Sequence, residues 1–298
     1  MMIKILKFIF KNQFKASKSL DKSAGFTLVE LLVALAMSSI IITVLLQFMI
    51  SVITTDSNEK IKINSEQEIQ IALDHISRDL QEAIYIYDAD GIDKIKSQLR
   101  YPTDTTKTPI LVFWKREILD NNSNNSAGED NSSLVVYYLD NSSSTIWSKA
   151  ARISRWQIKK NNPGFNPFNI AQSNTVEDAM INWQKSGTAY TDAADVLIDY
   201  VDQTTPPINQ TIPPTPPAAT CPNNSTTPPI TWSTITPSNG MTGFYACVDK
   251  ANTTAKVFIR GNALARREID PKIIEYKDDQ KSYFPTANAI VQGAKSGY

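Results

Sequence analysis

The chain has 298 residues, with 30 lysines and arginines against 30 aspartates and glutamates, so its formal net charge is zero. That balance excludes the strongly basic domain that marks general nucleic-acid binding. The sequence also has no glycine-rich phosphate loop, metal-ligand spacing or Gly-x-Ser-x-Gly elbow on which to found catalysis or a cofactor site.

Residues 1–25 carry Lys4, Lys7, Lys11, Lys15, Lys18 and Lys22 against the single acid Asp21. From Phe26 to Ile53 the only ionisable side chain is Glu30. About 20 apolar residues suffice to cross a bilayer as a helix, so 26–53 reads as a membrane span. The positive-inside rule holds residues 1–25 in the cytoplasm and sends the bulk of the chain outward. A secretory signal is cut beyond its apolar stretch, whereas here the small residue Gly25 precedes it.

The order of lysines, then Ala24-Gly25-Phe26-Thr27-Leu28-Val29-Glu30, then an unbroken apolar run, resembles the class III leader of type IV prepilins and type II secretion pseudopilins. The resemblance implies that a prepilin peptidase in the inner membrane cuts between Gly25 and Phe26 and methylates the new amino terminus of Phe26. The apolar helix then stays in the mature protein. Loss of residues 1–25 leaves 24 basic and 29 acidic residues, a mildly acidic product.

Glu30 has two readings. A carboxylate costs roughly 2.5 kcal/mol or more at the bilayer centre but much less near an interface. At about 1.5 Å per residue Glu30 lies some 6 Å from the helix start, so position alone permits a tolerated interfacial acid. The resemblance implies the sharper role of subunit assembly, in which the carboxylate meets the amine of a processed Phe26 in the next subunit. Inside a low-dielectric filament core such a pair is worth more than in water, and breaking it strands a charge.

No proline or glycine interrupts the chain between Phe26 and Gly91. Ile69, Leu73, Ile76, Leu80 and Ala83 recur at spacings of four and three, one apolar stripe along a helix. Glu66, Gln70, Asp74, Arg78 and Gln81 lie opposite, as on a half-buried helix. The pattern predicts one helix from Phe26 into the mid-eighties, with 26–53 in membrane or filament core and 54–88 exported and packed on a sheet. Residues 72–83 also resemble the end of the long helix in PilW-type minor pilins and GspJ-type pseudopilins.

Beyond residue 88 the chain turns to strands and loops, so 89–298 reads as the exported globular domain. Ile110–Trp114, Leu134–Leu139, Val196–Val201, Phe244–Val248 and Lys256–Arg260 are rich in β-branched and aromatic residues. They predict a sheet of four to six mostly antiparallel strands, hence an α+β class, which the resemblance specifies as a type IV pilin fold. Asn121–Ser126 and Asn141–Ser144 predict exposed loops; the sequons at Asn131 and Asn141 follow readily from that composition. The segment 204–229 holds nine prolines. It reads as a surface excursion, because the strands beyond it are expected to complete the sheet. A proline-recognising partner is the alternative.

Cys221 and Cys247, the only cysteines, both fall in the exported part, where oxidising conditions allow a disulfide stapling the proline-rich loop to the sheet. His75, the only histidine, sits on the helix beside Asp74, away from any nucleophile. Lys256, Arg260, Arg266 and Arg267 make a candidate basic patch for DNA, opposed by Glu268 and Asp270.

The resemblance therefore implies a PilW-like minor pilin, not an enzyme, that primes or caps a type IV pilus. It implies an inner-membrane precursor with cytoplasmic N-terminus, displayed on the pilus at the cell surface after assembly. Its implied partners are the prepilin peptidase, the major pilin and other minor pilins, the inner-membrane assembly platform and a separate cytoplasmic motor. In related systems the uppermost minor subunit lacks the glutamate, so Glu30 implies a position with another subunit above. A GspJ-like pseudopilin of type II secretion shares nearly all these features. A pilus-tip adhesin or DNA receptor is the reading from a different class.

Overall fold

The computed structural model describes residues 26–117, 132–168, 173, 175–206, 216–222, 230–268, 270 and 274–294. The chain divides into two units, Met1–Asp56 and Ser57–Tyr298. Helix α1, Leu28–Gln81, contributes to both. In the first unit the run Ile40-Ile-Ile-Thr-Val44 is a weak helix former in water, yet a helix is the form that satisfies every backbone group within one segment in lipid.

In the second unit α1 buries Ser65, Ile69, Ala72, Leu73, Ile76, Asp79 and Leu80. Glu66, Gln70, Asp74, Arg78 and Gln81 stay exposed, as the stripe requires. The helix expected over 54–88 stops at Gln81, because Ala83-Ile-Tyr-Ile86 forms strand β1 instead. Ile84, Tyr85 and Ile86, β-branched or aromatic, gain more by pairing with a sheet than by extending a helix.

Five antiparallel strands make the first sheet, in the order β1 (Ala83–Ile86), β2 (Lys107–Arg116), β3 (Ser132–Asp140), β4 (Ala151–Lys159) and β5 (Asp195–Val201). Between β1 and β2 lies the short helix α2, Ala89–Ile95, capped by Asp88 through the Gly91 N–H at 2.8 Å. Both faces of this sheet are covered. Phe113 and Tyr137 share one face, where Tyr137, Lys115 and Arg155 reach α1. On the other, Trp114 is boxed by Phe165, Phe168 and Trp183. Helix α3, Val176–Ile181, holds that cover in place, its Met180 carbonyl accepting from the Tyr87 hydroxyl at 2.8 Å. Burial on both faces is why β2 and β3 read as continuous apolar runs.

The strands beyond the proline-rich segment do not complete that sheet. They form a second antiparallel sheet, β6 (Ser233–Ile235), β7 (Phe244–Asp249), β8 (Thr254–Arg260) and β9 (Thr286–Gln292). Its inward residues, among them Phe244, Val257 and Val291, join α1 and the first sheet in one apolar core. The two sheets meet where Val201 bridges Gly261. Glycine is required beside this crossing: a Cβ on Gly243 would stand 1.9 Å from the Asp202 carbonyl oxygen.

Cys221 and Cys247 are joined by a disulfide, which pins the described part of the proline-rich segment to β7. At a sequence separation of 26, the chain-entropy account assigns the link about 3.5 kcal/mol. Replacing both cysteines by alanine is expected to lower unfolding stability by that order in thermal or urea melts, without loss of the folded baseline.

Candidate functional site

The resemblance places the functional residues around the first turn of α1, and the local geometry there is that of a capped helix start. Thr27 precedes the helix, and its Oγ1 accepts the backbone N–H of Glu30 at 3.2 Å. The Thr27 carbonyl accepts from Leu31 N at 3.1 Å. Thr-x-x-Glu is the capping-box pattern, a signal present in the sequence that the membrane-centred reading passed over. Glu30 is therefore the third helical residue. There the unsatisfied N–H groups and the positive end of the helix dipole favour an anion, by about 0.3–1 kcal/mol at exposed sites.

Phe26 is 81% exposed, and even the most covered large apolar residue from there to Ile53, Val33, is 49% exposed. A soluble monomer rarely shows contiguous apolar surface beyond a few hundred Å², so this surface calls for lipid or other helices. Three hydroxyls within it are satisfied on the helix itself: Ser38 donates to the Leu35 carbonyl, Ser39 to that of Ala36 and Thr43 to that of Ser39, all within 2.9 Å. Among the described residues this is the one helix long and apolar enough to cross a membrane. Gly25, on the leader side of the expected cut, lies outside the described residues.

The remaining sequence candidates sort differently. His75 is exposed on α1, with Nδ1 3.1 Å from the Tyr137 hydroxyl. The basic cluster does not assemble as a patch. Arg260 is buried and donates to Asp202 at 2.7 Å. Arg266 pairs with Glu68 and stacks over the Tyr200 ring. Arg267 bonds Glu268 and Asn58, and Lys256 lies over Phe258. Arg260 is thus a core residue, and Glu68 and Glu268 neutralise Arg266 and Arg267. Asn141–Ser144 is a loop as expected, whereas Asn121–Ser126 and Asn131 fall outside the described residues.

Sequence reasoning missed a cluster on the inner face of α1. Asp79 accepts from Arg155 Nε at 2.7 Å and the Tyr137 hydroxyl at 2.6 Å on Oδ2, and from Lys115 Nζ at 3.1 Å on Oδ1. Asp79 sits in the last turn of α1, but its partners Tyr137, Lys115 and Arg155 lie on three strands far along the chain. No local spacing reveals such a convergence.

Residues 20–46 match the prokaryotic N-terminal methylation motif. The match supports a type IV pilin-like protein in the general sense, pilin or pseudopilin: a membrane-anchored precursor processed by prepilin peptidase and assembled with other pilins. Such proteins are typically structural rather than enzymatic. No curated protein and no solved structure matches the chain.

Proposed function

We propose that the chain is the precursor of a minor pilin that primes or caps type IV pilus assembly. The observation that carries this reading is the coincidence of the methylation motif at 20–46 with an exposed apolar helix whose one ionisable residue before Ile53 is Glu30. Cleavage between Gly25 and Phe26 removes the leader and leaves an N-methylated ammonium on Phe26. In a filament the apolar faces of neighbouring helices bury one another. The ammonium of one subunit meets Glu30 of the next and fixes the axial step, because an unpaired charge in that core is strongly disfavoured.

Mass spectrometry of the mature protein is expected to find N-methylated Phe26 at its start; any other terminus rejects the reading. Glu30→Val is expected to insert and be processed normally yet enter sheared pili about ten-fold less, a loss of roughly 1.4 kcal/mol. Wild-type incorporation of that variant would defeat the assembly role. Deleting the gene is expected to abolish piliation; intact pili with enzymes retained in the periplasm would assign the chain to secretion instead.

A further inference from the structure

A groove of about 450 Å³ in the second unit lies between α1 and β5 and has no part in the function proposed above. Val196, Leu197, Ile198, Asp199 and Tyr200 all line it. β5 is the last strand in the sheet order, so among the described residues no strand of that sheet pairs with the edge facing this groove. The other edge of β5 is taken by β4. At its far end the open edge already holds a strand residue: Gly261 bridges Val201, with Asn262 N–H donating to the Tyr200 carbonyl at 2.7 Å.

Apolar side chains stand exposed beside this edge. Ile71 on α1 is 67% exposed, and Ile146 and Trp147 of the β3–β4 loop are 85% and 44% exposed. The charges framing it are mainly acidic. Glu68 and Asp199 line the groove, held by Arg266 and Ser148. Asp74, a turn along α1 from Ile71, and Asp195, at the start of β5, are exposed; against them the loop sets Lys149. Two irregularities in the pairing with β4 bend β5, which restricts the open edge to a short partner.

We propose that this groove is a strand-addition site for a short extended segment of another protein chain, apolar on one side and basic on the other. Backbone bonds to the β5 edge supply the register, Ile71 and Trp147 receive the apolar side chains, and Asp74 and Asp195 receive the basic ones. Five residues of strand span about 16 Å, the length of edge that β5 offers.

The test uses the full unprocessed chain in detergent micelles, so its outcome does not depend on cleavage at Gly25. The probe is an alternating lysine–valine octapeptide, followed by hydrogen exchange across β5. The peptide is expected to slow exchange within 195–199 about ten-fold, Tyr200 N–H being already bonded to Asp199 Oδ1, and its fully N-methylated form, which cannot donate backbone bonds, to bind at least about ten-fold more weakly. Asp74→Lys combined with Asp195→Lys, both on exposed positions, is expected to transfer the preference to a glutamate–valine octapeptide. Unchanged exchange on adding the peptide, equal binding of the N-methylated form, or preference of the unaltered chain for the glutamate peptide overturns the proposal.

Discussion

Replacing Asp202 with alanine is expected to lower the stability of the folded unit by about 3–5 kcal/mol, the usual result of removing one partner from a buried ion pair. Asp202 is fully buried at the junction of the two sheets, just after β5. Its Oδ2 accepts Arg260 Nε at 2.7 Å, while Oδ1 accepts the N–H of Thr204 at 3.0 Å and its hydroxyl at 2.6 Å. Arg260 also donates to Thr242 at 2.5 Å and lies over the Tyr276 ring. Without the carboxylate, a guanidinium remains in the core with one neutral acceptor.

For a domain of this size each kcal/mol moves the melting temperature by about 2–4 °C, so the midpoint should fall by roughly 6–20 °C in a thermal scan. The double variant Asp202→Ala with Arg260→Met is expected to recover much of that loss, since removing both charges leaves neither stranded. A double variant as unstable as the sum of the singles would mean that shape, rather than charge, holds this junction.

The parts of the fold legible in the sequence are those whose burial repeats with a local period. The stripe from Ile69 to Leu80 is one, because a single helix face meets the core. Strands β2 and β3 are others, because cover on both faces makes Ile110–Trp114 and Leu134–Leu139 apolar throughout. Strand β4 was missed for the opposite reason. Arg152 and Ser154 are buried and Arg155 and Gln157 nearly so, and each bonds a distant group such as Asp140, Asp79 or Glu117. A strand that spends its polar side chains on tertiary partners looks like a loop in sequence.

Strand β1 was hidden because nothing between Phe26 and Gly91 breaks a helix, and only pairing with β2 decides where α1 stops. The second sheet could not be foreseen from patterning, because its last strand, β9, sets only Ile290 and Val291 among small and polar residues and returns to β8 from far along the chain. The candidate assembly site is legible through its motif, but the motif hides the cap: Thr27 looks like part of the leader junction, while its hydroxyl orders the turn that carries Glu30.

Asp79→Ala is expected to remove about 3 kcal/mol at neutral pH, with a signature in acid that a packing defect would lack. Burial by itself would raise the Asp79 carboxyl. The hydrogen bonds from Arg155 and Tyr137, with the charges of Arg155 and Lys115, outweigh it and hold the group below its ordinary value of 3.8. Burial and the neighbouring Asp79 charge push the Tyr137 hydroxyl well above its ordinary range, so it remains the donor. The His75 contact to that hydroxyl then needs a hydrogen on Nδ1, since the phenol proton is already given to Asp79.

A carboxyl depressed in the folded state contributes fully above its unfolded pKa and loses that contribution as pH falls through the folded one. The stability gap between the parent chain and Asp79→Ala should therefore be constant above about pH 5 and narrow progressively below about pH 4. Asp88 and Asp104 are depressed as well, but they are common to both proteins and cancel in the difference. Urea melts of the two proteins across this range measure the gap directly. A gap that stays constant into strong acid would assign the loss to the missing side-chain volume rather than to the charge that binds α1 to β2, β3 and β4.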